Sequence, residues 1–283
     1  MVNVAAEGTA GVTAVVGAAA PTGLRGTIAA VLEGVANVRV WGYLGWIETK
    51  RRYRRTILGP FWVTLTHAIF IGATGFLYAK LWHQPVHHYL PYLSSGIICW
   101  SLIASVFNES GTVYLSSAGL LTQMKFNLPA LAMALIWRNL IVFIHTIVVF
   151  IVIAIVLNVP VNENTLLVIP GLFLVCLNLM WLVLLFGMVG VRYRDVQQVF
   201  NNITQIAMFV TPVFWTLSSR GKALHLVANL NPFYHLLVVI RDPIMGQSVH
   251  WLPWAVNIAM AIVGWTLALY AMTKYRHRVI FWL

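Results

Sequence analysis

Carboxylates are the scarcest chemistry in this chain: seven Asp and Glu stand among 283 residues, against eighteen Lys and Arg. They are scattered among different loops, and HExxH and GxSxG are both missing, so no hydrolytic centre is written in the sequence. Cysteine is nearly absent too. Cys99 and Cys176 lie inside apolar stretches without metal-ligand spacing and carry no information about redox compartment. A phosphate-cradling GxxxxGK[ST] loop is also lacking, because Gly221 and Lys222 have neither the upstream glycine nor the following Ser or Thr. There is no internal repeat, no low-complexity linker and no soluble domain. The net charge of +11 therefore does not mark a nucleic-acid binder, since nothing remains to build a groove.

What fills the chain is apolar surface: 60% of residues are hydrophobic and 9% charged. Six apolar stretches run over 60–81, 90–115, 139–157, 166–191, 200–217 and 254–273, each near the roughly 20 residues that a helix needs to cross a bilayer. With the N-terminus cytoplasmic, the inner loops hold the cluster from Lys50 to Arg55, then Lys125, Arg138, Arg192, Arg194, Lys274, Arg276 and Arg278. Lys80, Arg220, Lys222 and Arg241 fall outside. Basic residues are retained on the cytoplasmic side during insertion, so the pattern implies a multi-pass membrane protein with both termini inside. The expected fold is an all-α integral membrane protein of six transmembrane helices. Its basic loops face anionic membrane lipids.

Residues 1–36 read as a flexible cytoplasmic tail; no basic residue precedes Arg25, which argues against a signal peptide. Over 37–58 the apolar Val40, Leu44 and Ile47, with Trp41 alongside, recur at helical spacing ahead of a basic end, which suggests an interfacial amphipathic helix or a simple positive-inside anchor. Residues 59–278 form the six-span membrane domain. Within it, 116–127 is a cytoplasmic segment able to dock a soluble partner or to fold back on the headgroups. Residues 218–250 hold two apolar runs too short to span, read as re-entrant helices, with Asn231 capping a restart at Pro232. Thr211 and Pro212 are expected to kink the fifth span, and Arg138 to mark the inner edge of the third.

The run from Arg52 to Trp62 (Arg-Tyr-Arg-Arg-Thr-Ile-Leu-Gly-Pro-Phe-Trp) is followed by Gly96 and Trp100, by Tyr193, Arg194, Asp195 and Val196, by Thr211, Pro212 and Val213, and by Asn231, Pro232 and Arg241. In that order these residues resemble the markers of ABC-2 type permeases that export polysaccharides, over about residues 38–278. The sequence departs from that pattern at His67, where many relatives have proline, and over 123–129.

The resemblance implies a subunit of the bacterial cytoplasmic membrane that moves O-antigen, capsule, teichoic acid or a related lipid-linked glycan. It also implies a homodimer paired with two separate ATP-binding subunits, which carry the ATP and Mg; this chain would need no cofactor. Residues 116–126 would be the coupling segment on the ATPase, with Leu120, Leu121, Lys125 and Phe126 in contact. A lipid-linked pyrophosphate would be received by Arg52, Tyr53, Arg54 and Arg55, aided by Arg192 and Arg194, because guanidinium groups pair with phosphate oxygens. Trp100, Phe107, Trp181, Phe214, Trp215 and Tyr234 are candidates to line a sugar path, or equally to pack or face lipid. Asp195 pairs with Arg192 or Arg194 or caps the fifth span. Glu109 is an interfacial carboxylate or an arginine partner, and His145 a neutral packing residue. An ABC-2 permease for a drug, haem or another lipid is the alternative, with a membrane-embedded enzyme a more distant one.

Overall fold

A computed structural model describes residues 23–54, 57–59, 61–123, 127–217 and 221–283. Among the described residues every regular element is helical. In chain order they are α1 (Gly23–Ala36), α2 (Val38–Arg52), α3 (Phe61–Leu81), α4 (Val86–Ser110), α5 (Val113–Ser116), α6 (Ala118–Gln123) and α7 (Leu128–Val156). After a 3-10 turn (Glu163–Leu167) come α8 (Val168–Arg192), α9 (Val196–Val210), α10 (Lys222–Leu230), α11 (Pro232–Ile244), α12 (Trp251–Tyr275) and α13 (Val279–Trp282).

Five helical segments are long and apolar enough to cross a membrane: α3, α4, α7, the turn with α8, and α12. The α10–α11 pair would add a sixth, but it is bent by 94°. The fifth expected stretch, 200–217, is thus not one span. It forms α9, 15 residues long and so about 22 Å, and stops at Thr211, which is extended (φ −79°, ψ 135°) because the residue before a proline is pushed out of the helical region. The chain still covers most of the height of α4. Phe200 meets Phe107 near one end of α4, and the Pro212–Trp215 carbonyls meet Tyr89 and Tyr92 near the other.

Helix α4 is the core of the bundle: 78% of its apolar window is buried, against 11% for α3. It packs on α3, α7, α8, α9 and α11. The third long helix begins ahead of the arginine expected at its inner edge. Helix α7 runs from Leu128 straight through Arg138, because carboxylates neutralise that arginine inside the bundle.

Residues 23–36 correct the expectation of a loose tail. Their small side chains Gly26, Thr27 and Gly34 are buried, Asn127 donates to the Ala30 carbonyl, and Thr273 donates to Thr27. The rest of that tail, 1–22, lies outside the described residues. Asn231 does cap α11, accepting from the Phe233 N–H with Pro232 in the first turn.

Candidate functional site

Helix α2 reaches its place through absent side chains. Gly45 is buried, and a Cβ there would stand 2.8 Å from the Ala134 carbonyl of α7 and 3.0 Å from Trp137, so only glycine allows this approach. Thr49 lies one turn on and donates to the Gly45 carbonyl at 2.8 Å. Trp41, Leu44 and Ile47 are half-buried, while Tyr43 and Trp46 are exposed. The helix is therefore less cleanly one-sided than its spacing suggests, with aromatic rings on its open face.

The close approach brings the end of α2 onto a partly exposed ionic hub. Arg52 donates to Glu109 of α4 at 2.8 Å. Arg138 of α7 bonds both Glu109 and Glu48, and Asn139 donates to Glu109 at 3.1 Å. Two guanidinium groups and two carboxylates from three helices thereby cancel. Burial works against the charge on Arg52, but Glu109 outweighs it and holds the guanidinium above its ordinary pKa.

Beside the hub opens a cleft of about 770 Å³, walled by Trp46, Ile47, Thr49, Ile141 and His145 and rimmed by Lys50, Arg51, Tyr53 and Arg54. Lys50, Arg51 and Arg54 make no ion pair with any described residue. Burial lifts the Tyr53 phenol above its ordinary pKa, with Arg52 opposing, so the hydroxyl stays a donor. His145 is tied through Nδ1 to the Ile141 carbonyl at 2.7 Å, and its own carbonyl accepts from Thr64 of α3 at 3.1 Å.

The residues expected to receive a phosphate are thus divided. Tyr53 and Arg54 border this cleft, Arg52 is turned into the hub, and Arg55 lies outside the described residues. Arg192 belongs to a different pocket at the far end of α8, and Arg194 is exposed and lines neither. Asp195 occupies the N-cap position of α9 but makes no side-chain cap bond and no ion pair among the described residues. Sequence reading passed over Lys50, Arg51 and Trp46 as cleft residues, although Lys50 and Arg51 stand in the same basic run. It left Glu109 open, and the hub now assigns it two arginines.

The six path aromatics do not form one surface. Trp100 and Phe107 are 4% and 6% exposed and belong to the chain's own core, with Phe233 against both and Phe186 and Phe200 against Phe107. Trp181 lies flat over Gly264 of α12 and donates to Asn178 at 3.1 Å. Tyr234 is half-buried beside His235. Phe214 and Trp215 sit on the irregular segment after α9, where Trp215 frames a cleft of about 480 Å³ with Trp82, Phe209, Val210, Leu224 and Val227.

That irregular segment is held by a clamp that the sequence did not reveal. Tyr89 donates to the Phe214 carbonyl at 2.6 Å, Tyr92 to the Pro212 and Trp215 carbonyls at 2.9 Å each, and Arg241 to Pro212 at 2.7 Å and to Tyr92 at 3.0 Å. Non-helical backbone inside a bundle needs such partners.

The segment expected to couple to a partner is anchored as well. Gly190 of α8 lets the Gly111 backbone pass in direct contact, and the Tyr114 ring packs on Gly187. In α6, Leu121 is buried and Leu120 half-buried, whereas Gly119, Thr122 and Gln123 are exposed, as is Ser116 at the end of α5. The accessible face is small and polar, where Leu120 and Leu121 were expected to make contact. Lys125 and Phe126 lie outside the described residues.

A family model described as ABC-2 type transporter matches residues 39–245. A protein of Myxococcus xanthus, described as O-antigen export system permease protein RfbA, is 23% identical over 193 residues, covering 67% of this chain and 74% of that protein. A protein of Klebsiella pneumoniae with the same description is 18% identical over 234 residues, covering 81% and 90%.

Proposed function

The chain belongs to the ABC-2 type transporter family, and on that premise we propose that it is the permease subunit of an exporter carrying a lipid-linked polysaccharide of the O-antigen class out through the bacterial cytoplasmic membrane. The relatives named for O-antigen export support the cargo class. The cleft beside α2 carries the reading: three cations without carboxylate partners stand over an apolar and aromatic wall at the foot of the first span. That pairing suits an amphiphile whose head is a phosphate and whose tail is hydrocarbon.

In this reading Lys50, Arg51, Arg54 and Arg55 hold the pyrophosphate, and the Tyr53 hydroxyl donates a further hydrogen bond. Arg52 is not a ligand; through Glu109 and Arg138 it fixes α2 against α4 and α7. Two copies pair, and the sparsely buried face of α3 is the surface available for a second copy or for lipid. Two ATP-binding subunits supply ATP hydrolysis and dock on the polar face Ser116, Gly119, Thr122 and Gln123, with Lys125 and Phe126 following. Both termini lie in the cytoplasm, as the basic loops require. Phe214, Trp215 and Tyr234 offer rings to sugar faces in the outer half, while Trp100 and Phe107 support them from the core.

The test is stimulation of the reconstituted complex by its lipid-linked glycan. Replacing Lys50, Arg51 and Arg54 together with Gln lowers the fold-stimulation by about tenfold, equivalent to a few weak phosphate contacts, while the ATPase subunits still co-elute. Stimulation equal to that of the unaltered complex would remove the cleft as the headgroup receiver.

A further inference from the structure

The pocket that captured Arg192 has its own chemistry. It lies between the ends of α8 and α12, holds about 460 Å³, and has a floor of Leu185, Met188, Val189 and Ala271. Its rim carries Arg192, Tyr193, Tyr275, Arg278 and Trp282. Helix α13 closes one side: Val279 is fully buried, and Trp282 lies 5.9 Å from Tyr275.

Arg192 is held as a ligand-binding guanidinium would be. Its plane faces the Tyr193 and Trp282 rings at 5.4 and 5.1 Å, and Nε donates to the Tyr193 hydroxyl at 3.1 Å. The two terminal nitrogens have no hydrogen-bond partner among the described residues, and neither does the Arg278 side chain. Among the described residues no carboxylate side chain lines the pocket, and neither cation has an ion-pair partner.

From this arrangement we infer that the pocket is a site for a resident anionic glycerophospholipid, its phosphodiester between Arg192 and Arg278 and its acyl chain on the Leu185–Met188–Val189 floor. The floor belongs to two helices that cross the membrane, so it lies at the level of lipid tails while the arginines stand at headgroup level. Basic pockets between the ends of spanning helices recognise anionic lipids by this division, and the aromatic rim suits the membrane–water boundary. A soluble anion would leave the floor unused. A docked protein would have to push apolar surface into the bilayer to reach it.

The site is separate from the cleft beside α2, with which it shares no lining residue, and the inference does not depend on what the exporter carries. The experiment is native mass spectrometry of the complete permease released from nanodiscs of phosphatidylcholine and phosphatidylglycerol in equal parts. The unaltered chain retains phosphatidylglycerol over phosphatidylcholine by about fivefold or more, and R192Q with R278Q brings the ratio close to one. R278Q alone, at a side chain with no bond to break, lowers the ratio by itself and guards against misfolding of the double variant. K222Q, in α10 and outside both clefts, leaves it unchanged. The inference is overturned if the double variant keeps the full preference, if the bound ATPase subunit abolishes lipid retention, or if added polyprenyl phosphate displaces phosphatidylglycerol mole for mole, which would make this a cargo site.

Discussion

Arg138 is half-buried in the bundle and Arg241 fully buried, with side chains 14% and 6% exposed, and the bundle treats them in opposite ways. Arg138 meets two carboxylates from two other helices, Glu48 and Glu109. Arg241 meets one carboxylate, its chain neighbour Asp242 at a loose 3.4 Å, and spends its closest contacts on a backbone carbonyl and a tyrosine. The first is a joint between helices made of charge, open enough to water for its partners to exchange. The second secures the non-helical backbone that follows α9, sharing the Pro212 carbonyl with the Tyr92 hydroxyl. A joint built on ion pairs can shift between arrangements, whereas the clamp has one.

The largest effect expected from this contrast comes at the clamp. Arg241→Leu removes one of the two donors to Pro212 and leaves Asp242 buried beside a hydrocarbon, and truncating one member of a buried charged group costs about 3–5 kcal/mol. Tryptophan fluorescence during unfolding in detergent reads the loss. A change under about 1 kcal/mol would mean that the Thr211–Trp215 segment is held by packing alone, and the contrast between the two arginines would dissolve.

At the hub the expected loss is smaller, because it can redistribute. Glu109→Gln keeps the shape but takes a charged acceptor from both Arg52 and Arg138, while Arg138 retains Glu48; hydrogen bonds to charged groups suggest about 1.5–3 kcal/mol. Adding Arg138→Gln recovers part of that, a positive coupling that a double-mutant cycle measures. Strict additivity of the two changes would show that the ion pairs do not act together.

How far the sequence spoke follows the same division. Apolar length alone located α3, α4, α7, α8 and α12, and the Asn231–Pro232 pair located the start of α11, because lipid solvation and capping are local rules. Pro212 announced a disturbance in the fifth stretch. That it ends the helix outright depends on Tyr89, Tyr92 and Arg241 donating to the exposed backbone carbonyls, and those partners stand more than a hundred residues away or on another helix. The basic run at Lys50–Arg55 was legible as a cluster, but which cation turns inward was not: Glu109 selects Arg52 only once Gly45 has let α2 settle on α7. Aromatic residues were the least legible. Trp100 and Phe107 carry the same sequence signal as Trp215, yet core packing absorbs the first two and leaves the third at a cleft.

The smallest effect is expected at Arg52, and it sharpens the comparison most. Its side chain is 46% exposed, so solvent screens the pair with Glu109, and Arg52→Gln costs only about 0.2–1 kcal/mol. If charge is what joins α2 to the bundle, that small cost shrinks further when salt is raised toward about 1 M, where screening acts within roughly 3 Å. The Arg241→Leu loss, seated among backbone partners, does not shrink. Proteolysis after Lys50 and Arg51 in detergent is the sensitive readout, because local loosening of a helix end appears there before global unfolding does. Cleavage that rises in the Arg52→Gln chain at low salt, and matches the unaltered chain at high salt, identifies an electrostatic joint. Equal cleavage at both would assign the position of α2 to the Gly45–Ala134 contact and leave the hub a passenger.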